Sequence, residues 1–122
     1  MSPKLVTIYT YAACSTCRAA VKWLLSHNIE FVEKPIRDTP PSVEELRRML
    51  ALQNGKFLRL FNTSGLEYRA LKLSERLPTI SEAEALTLLA GNGRLVKRPF
   101  VLGETFGLVG FSKAAWAAEF GK

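Results

Sequence analysis

An α/β fold is predicted for this chain by three features. Residues 6–36 read as strand, helix and strand. A run of side-chain-capped helices follows. Two short apolar segments bounded by glycines then precede a last helix. A strand–helix–strand unit this short requires a parallel pair joined by a right-handed crossover.

The elements follow in chain order. Val6 to Tyr11 is β-branched and aromatic, which favours a strand. Ala12-Ala13-Cys14 turns the chain, and Ser15 and Thr16 suit a helix start. Cys17, Ala20, Val21, Leu24 and Leu25 recur at helical spacing, and Asn28 stops that helix. Ile29 to Ile36 reads as the second strand, ending at the turn-rich Asp38-Thr39-Pro40-Pro41. Ser42 and Glu45 form a capping box for a helix whose inner face is Val43, Leu46, Met49 and Leu50. Asn54-Gly55 ends it. Lys56 to Phe61 is expected to be a short helix or turn, Asn62 to Gly65 a loop, and Glu67 to Ser74 another short helix. Ser81 and Glu84 predict a second capping box, with Ala85, Leu86, Leu88 and Leu89 facing inward and Gly91-Asn92-Gly93 closing the helix. Pro99 to Leu102 and Leu108 to Gly110 are expected to be two strands of a hairpin. Ser112 caps the last helix, with Trp116 and Phe120 packing inward.

Bulk properties narrow the function classes. A chain of 122 residues is expected to be one domain, residues 1–122, and 48% hydrophobic residues suit a packed core. No apolar run approaches the ~18 residues of a membrane helix. Met1 to Lys4 runs into a strand without the apolar core of a secretory signal, so a cytoplasmic address is expected. Two cysteines are too few for a secreted disulfide scaffold. Seventeen Lys and Arg against eleven Asp and Glu give a net charge of +6. The basic residues are scattered, with Arg94, Lys97 and Arg98 the tightest group, so a solvated surface is expected rather than direct nucleic-acid binding. Nothing demands more than a monomer.

Cys14 and Cys17 carry the chemistry. A Cys-x-x-Cys at the first strand-to-helix junction places Cys14 where unpaired backbone N–H groups and the positive end of the helix dipole stabilise a thiolate. Cys17 lies one turn on, within reach of a mixed disulfide on Cys14. Cys14 is therefore the expected nucleophile and Cys17 the expected resolving thiol. Arg18 is a nearby cation that would add to the effect. Three other readings stay open: half of a zinc site, two cysteines packed as small hydrophobes, and a relic site. Structural zinc wants two further ligands, usually a Cys or His pair, and only His27 remains, at the far end of the same helix. Cys14, on the turn, fits core packing poorly.

Cys14-Ser15-Thr16-Cys17-Arg18 after a first strand, Thr39-Pro40-Pro41 before a helix, and Phe61-Asn62-Thr63-Ser64-Gly65 with Tyr68 form one pattern. Lys97-Arg98-Pro99 and Val109-Gly110-Phe111 complete it. Together these resemble the arsenate reductase (ArsC)/Spx-like family of thioredoxin-fold proteins, over nearly the whole chain. The resemblance implies a glutaredoxin-type four-stranded mixed sheet with a central helical insertion. It implies a cis-proline at Pro99 facing the cysteines, with Arg98, Arg18 and Pro99 as the substrate- or oxyanion-binding residues. The family's enzymes hold an oxyanion with three arginines. Here Arg98 matches one, while Asn62 and Gly110 stand at the other two positions. Thiol-dependent reduction is therefore expected ahead of arsenate reduction. No bound cofactor or metal is expected, and glutathione or a thioredoxin or glutaredoxin partner would supply the electrons. The alternative implied by the Spx branch is a redox-switched transcriptional regulator that binds the RNA polymerase α-subunit.

Overall fold

The computed structural model describes residues 6–121. Strand β1 (Thr7–Thr10) pairs in parallel with β2 (Val32–Pro35), and helix α1 (Ser15–Ser26) makes the crossover. Both strands are shorter than their apolar runs. The ladder opens where Val32 N–H meets Val6 C=O at 2.8 Å and closes where Ile36 N–H meets Thr10 C=O at 2.8 Å. Ile29 and Phe31 precede that ladder and pack against the α1 side of the sheet instead. β3 (Phe100–Leu102) lies antiparallel on the other side of β1, and β4 (Gly107–Val109) closes the hairpin. The order β2-β1-β3-β4 is a four-stranded mixed sheet with helices, as expected.

β4 begins and ends one residue before the predicted span. Gly110, at φ +77°, leaves the extended region, which a glycine does without steric cost. Its N–H reaches Pro99 C=O at 2.9 Å, so the hairpin closes on the proline that precedes β3.

The sheet separates two cores, because alternate residues of a strand face opposite sides. Ile8 points to α1 and the last helix, α6 (Lys113–Phe120). Tyr9 points to the helical insertion. That insertion comprises α2 (Val43–Leu52), α3 (Leu66–Ala70), α4 (Leu73–Arg76) and α5 (Glu82–Gly91), with 3-10 turns at Phe57–Leu60, Leu77–Thr79 and Gly93–Leu95. The capping box of α2 is complete: Glu45 N–H donates to Ser42 Oγ and Ser42 N–H to Glu45 Oε1, each at 3.1 Å. The same Oε1 accepts the Tyr9 hydroxyl at 2.7 Å, tying α2 to β1.

Two expectations need correction here. The helix expected from Glu67 to Ser74 is two helices, broken where Lys72 turns left-handed at φ 53°. The box at α5 is only half formed. Ser81 Oγ accepts Glu84 N–H at 3.2 Å, but the Glu84 carboxylate takes the Ser81 hydroxyl at 3.4 Å instead of the backbone N–H.

Trp116 anchors α6. It is buried, its Nε1 donates to Gly110 C=O at 3.2 Å, and the rings of Trp23, Phe111 and Phe120 surround it. Trp116→Ala is expected to cost about 3–5 kcal/mol, read from a lower urea midpoint, because it empties this cluster and orphans a carbonyl.

Candidate active site

The turn between β1 and α1 builds the site. Cys14 N–H donates to Tyr11 C=O at 2.9 Å, and Cys14 then caps α1, its sulfur accepting Cys17 N–H at 3.3 Å. A thiol thus does what a serine or aspartate oxygen ordinarily does at this position. Cys14 is partly buried and Cys17 fully so, both as thiols.

Arg98 stands opposite, next to β1 because the register pairs Tyr9 with Phe100. The Arg98–Pro99 peptide is cis, as expected for Pro99. The Arg98 guanidinium lies close enough to the Cys14 sulfur to favour its thiolate. Burial opposes ionisation of Cys14. The hydrogen bonds from the Cys17 thiol and N–H, and then Arg98, outweigh it and hold the thiol below its ordinary range. Cys17 moves the other way. Burial pushes it up to about 12; the Tyr11 backbone opposes this, and the neighbouring Cys14 adds to the rise. The two thiols therefore have divergent acidities one helical turn apart.

Arg18 points elsewhere. Its Nη1 donates to Ala12 C=O at 2.7 Å, and it is not among the groups acting on the Cys14 sulfur. It braces the turn. His27 stacks on Trp23 at 3.8 Å, with Nδ1 2.8 Å from the Trp23 carbonyl oxygen, at the opposite end of α1 from Cys14. Asn62 lines a cleft that Arg98 also lines and packs beneath Gly65, where a Cβ would stand 2.8 Å from its Nδ2. Among the described residues, no group of three or more His, Cys, Asp or Glu could hold a metal ion. No described helix is long and apolar enough to cross a membrane.

The sequence reading missed Arg37 and Tyr11. The Arg37 guanidinium lies 3.7 Å from the Tyr11 ring centroid, and that of Arg98 lies 5.1 Å from the same ring. One signal could have found Arg37. It directly follows β2, the strand parallel to β1, so it emerges at the same carboxyl edge as Cys14. Ligands of parallel sheets bind at that edge.

Arg98→Gln is expected to raise the pH at which Cys14 ionises. Alkylation near neutral pH should slow on the order of tenfold, because a charge-assisted donor is lost. A rate-against-pH profile checks this.

A mixed sheet in this order, with Cys-x-x-Cys at the first strand-to-helix junction and a cis-proline just before the adjoining strand, defines a thioredoxin-like protein with the fold of thiol oxidoreductases. The chain belongs to the ArsC family, whose model matches residues 9–119. It is similar to the YusI protein of Bacillus subtilis, 44% identical over 108 residues that cover 88% of this chain and 92% of that protein. It is also similar to the global transcriptional regulator Spx 2 of Bacillus cereus, 29% identical over 109 residues covering 89% and 82%. Among solved structures, an ArsC family related protein from Bacteroides fragilis superposes with a TM-score of 0.87 at 48% identity, covering 93% and 95%.

Proposed function

We propose that this protein is a thiol–disulfide reductase with Cys14 as nucleophile and Cys17 as resolving thiol. One observation supports this most: the Cys14 sulfur receives donors from Cys17 and Arg98, while Cys17 is held protonated against it. The Cys14 thiolate attacks a disulfide R–S–S–R′, forming Cys14–S–S–R and releasing R′S⁻, which takes a proton from water. Cys17 then attacks the Cys14 sulfur. It gives up its proton to the departing RS⁻ and leaves a Cys14–Cys17 disulfide. Two electrons and two protons from glutathione, or from a dithiol protein of the thioredoxin or glutaredoxin class, restore both thiols. Arg98 stabilises sulfur anions through this sequence, and Pro99 lines the approach.

Arsenate is a poorer substrate on this reading. Of the three oxyanion-holding arginines that the family resemblance implies, only Arg98 is matched, Asn62 and Gly110 standing at the other two positions, and among the arginines only Arg98 acts on the Cys14 sulfur. The test is an activity panel with arsenate, a glutathione mixed disulfide and a protein disulfide, on wild type, Cys14→Ser and Cys17→Ser. Disulfide reduction lost in both variants is the expected result. Loss in Cys14→Ser alone would assign resolution to external glutathione. No activity on any substrate overturns the proposal.

The similarity to a global transcriptional regulator supports a second reading. In it the Cys14–Cys17 pair is an oxidation switch for binding the RNA polymerase α-subunit. A pull-down with that subunit discriminates, and no binding in either redox state removes this reading.

A further inference from the structure

A groove of about 270 Å³ runs from the turn before α1 along that helix, with β2 as its other wall. We propose that it docks an acidic, apolar segment of a partner protein, with Arg18 and Lys22 meeting the carboxylates and Val21 and Leu25 the apolar side chains. The proposal goes beyond the reductase reading. It concerns which proteins reach the thiol pair, and it holds whether the pair reduces a substrate or acts as a switch.

One stripe of helix builds the groove. Cys17, Val21 and Leu25 recur every four residues, and Arg18 and Lys22 each follow one of them by a single position, so all five share a face. Burial falls along that stripe. Cys17 is wholly covered, Val21 is partly buried, and Leu25 is 63% exposed. Glu33 joins from β2 because it pairs with Ile8, whose side chain points to α1. Tyr11 and Ala12 close the end at the turn. A segment seated here therefore lies against the turn that carries Cys14.

Charge selects the partner. The Thr10 hydroxyl donates to the Glu33 carboxylate at 2.6 Å, so the one acid lining the groove is engaged within the protein. Arg18 gives Nη1 to Ala12 C=O and keeps its other donors. Among the described residues, no hydrogen bond or ion pair engages the Lys22 ammonium. Two cations four residues apart on a helix stand about 6 Å from each other at their Cβ atoms. Here they flank apolar surface, in a chain of net charge +6. Carboxylates at the same spacing, around an aliphatic side chain, complement all of it. A basic segment is repelled.

The edge of β2 decides how the segment binds. Val32 and Ile36 turn their N–H groups to β1, so the outward positions are Glu33 and Pro35. Proline has no N–H, which leaves this edge a single outward donor. The segment cannot extend the sheet and must bind through side chains. A helix with a carboxylate every fourth residue fits that requirement.

The test is an NMR titration of the full chain with an amidated alanine-based peptide of about 14 residues, long enough to become helical when bound. It carries glutamate at every fourth position and leucine beside each glutamate. Saturable binding is expected. Lys22→Glu and Leu25→Ser should each weaken it about fivefold or more. Both side chains are exposed, so these variants should keep the wild-type urea midpoint. The same peptide with lysine for glutamate should not bind. A second basic groove, lined by Lys56, Arg59 and Lys97, holds neither cysteine and is the competing site. A loss with Lys56→Glu as large as with Lys22→Glu overturns the proposal. So does the absence of saturable binding, or equal binding of the lysine peptide. The readout is binding alone, so an unreactive Cys14 removes the reductase reading and leaves this groove standing.

Discussion

At about pH 6.5, iodoacetamide is expected to label one thiol per chain rapidly, and Cys14→Ser is expected to abolish that labelling. An ordinary cysteine, with a pKa near 8.5, is only about 1% thiolate two units below it, and the thiolate is the reactive form. Cys14 is held below the ordinary range because the donors from Cys17 and Arg98 outweigh the burial that opposes its charge. Its rate should exceed that of a free thiol, by up to about a hundredfold at the limit of full ionisation. Cys17 cannot substitute. Burial pushes its pKa up to about 12, so it stays protonated at neutral pH, and the side chain is 1% exposed. Cys17→Ala should therefore keep the rapid phase while moving its midpoint upward, since one of the donors to the Cys14 sulfur is the Cys17 thiol. A wild-type midpoint at or above 8.5 would contradict the site as described.

Gly93→Ala is expected to destabilise the protein by about 3 kcal/mol. The added methyl would stand 1.9 Å from a backbone oxygen, and a carbonyl in the main chain cannot rotate aside as a flexible side chain can. The segment before Arg94 must then move away from Ile36 and Arg37. Ile36 closes the β1–β2 ladder and is wholly buried, so the displacement also reaches the core between the sheet and the helical insertion. Urea unfolding gives the stability change. Gly91→Ala is the control: a Cβ there has nothing within 4 Å, and its midpoint should stay close to wild type. An unchanged midpoint for Gly93→Ala would show that the two segments are not held together as described.

Several features were readable from residues alone because their causes are local. Ser42 three residues before Glu45 specifies a reciprocal hydrogen-bond pair, and both bonds form. Cys17, Ala20 and Leu24 share one helical face and are buried together. The break at Lys72 was not readable, since a lysine at φ 53° is intrinsically disfavoured and is held there by its surroundings. The extent of β2 was equally hidden. Ile29 to Phe31 have strand-like composition, but a strand exists only where a partner offers hydrogen bonds, and β1 is four residues long.

The same division runs through the site. The two cysteines and their helix start are adjacent in the chain, so spacing alone placed Cys14 just before the helix and Cys17 a turn on, while the cap, read as Ser15 or Thr16, is Cys14 in the structure. Their opposed acidities needed the tertiary structure, because burial and Arg98, eighty-four residues from Cys14 in sequence (98 less 14), decide which sulfur is charged. Arg37 and Arg94 read as scattered surface charge along the sequence. Only the close approach at Gly93 and the shared carboxyl edge of the parallel strands bring them to one cleft. Local chemistry is written in neighbouring residues. Electrostatics and binding depend on distances through space, which the order of residues does not state.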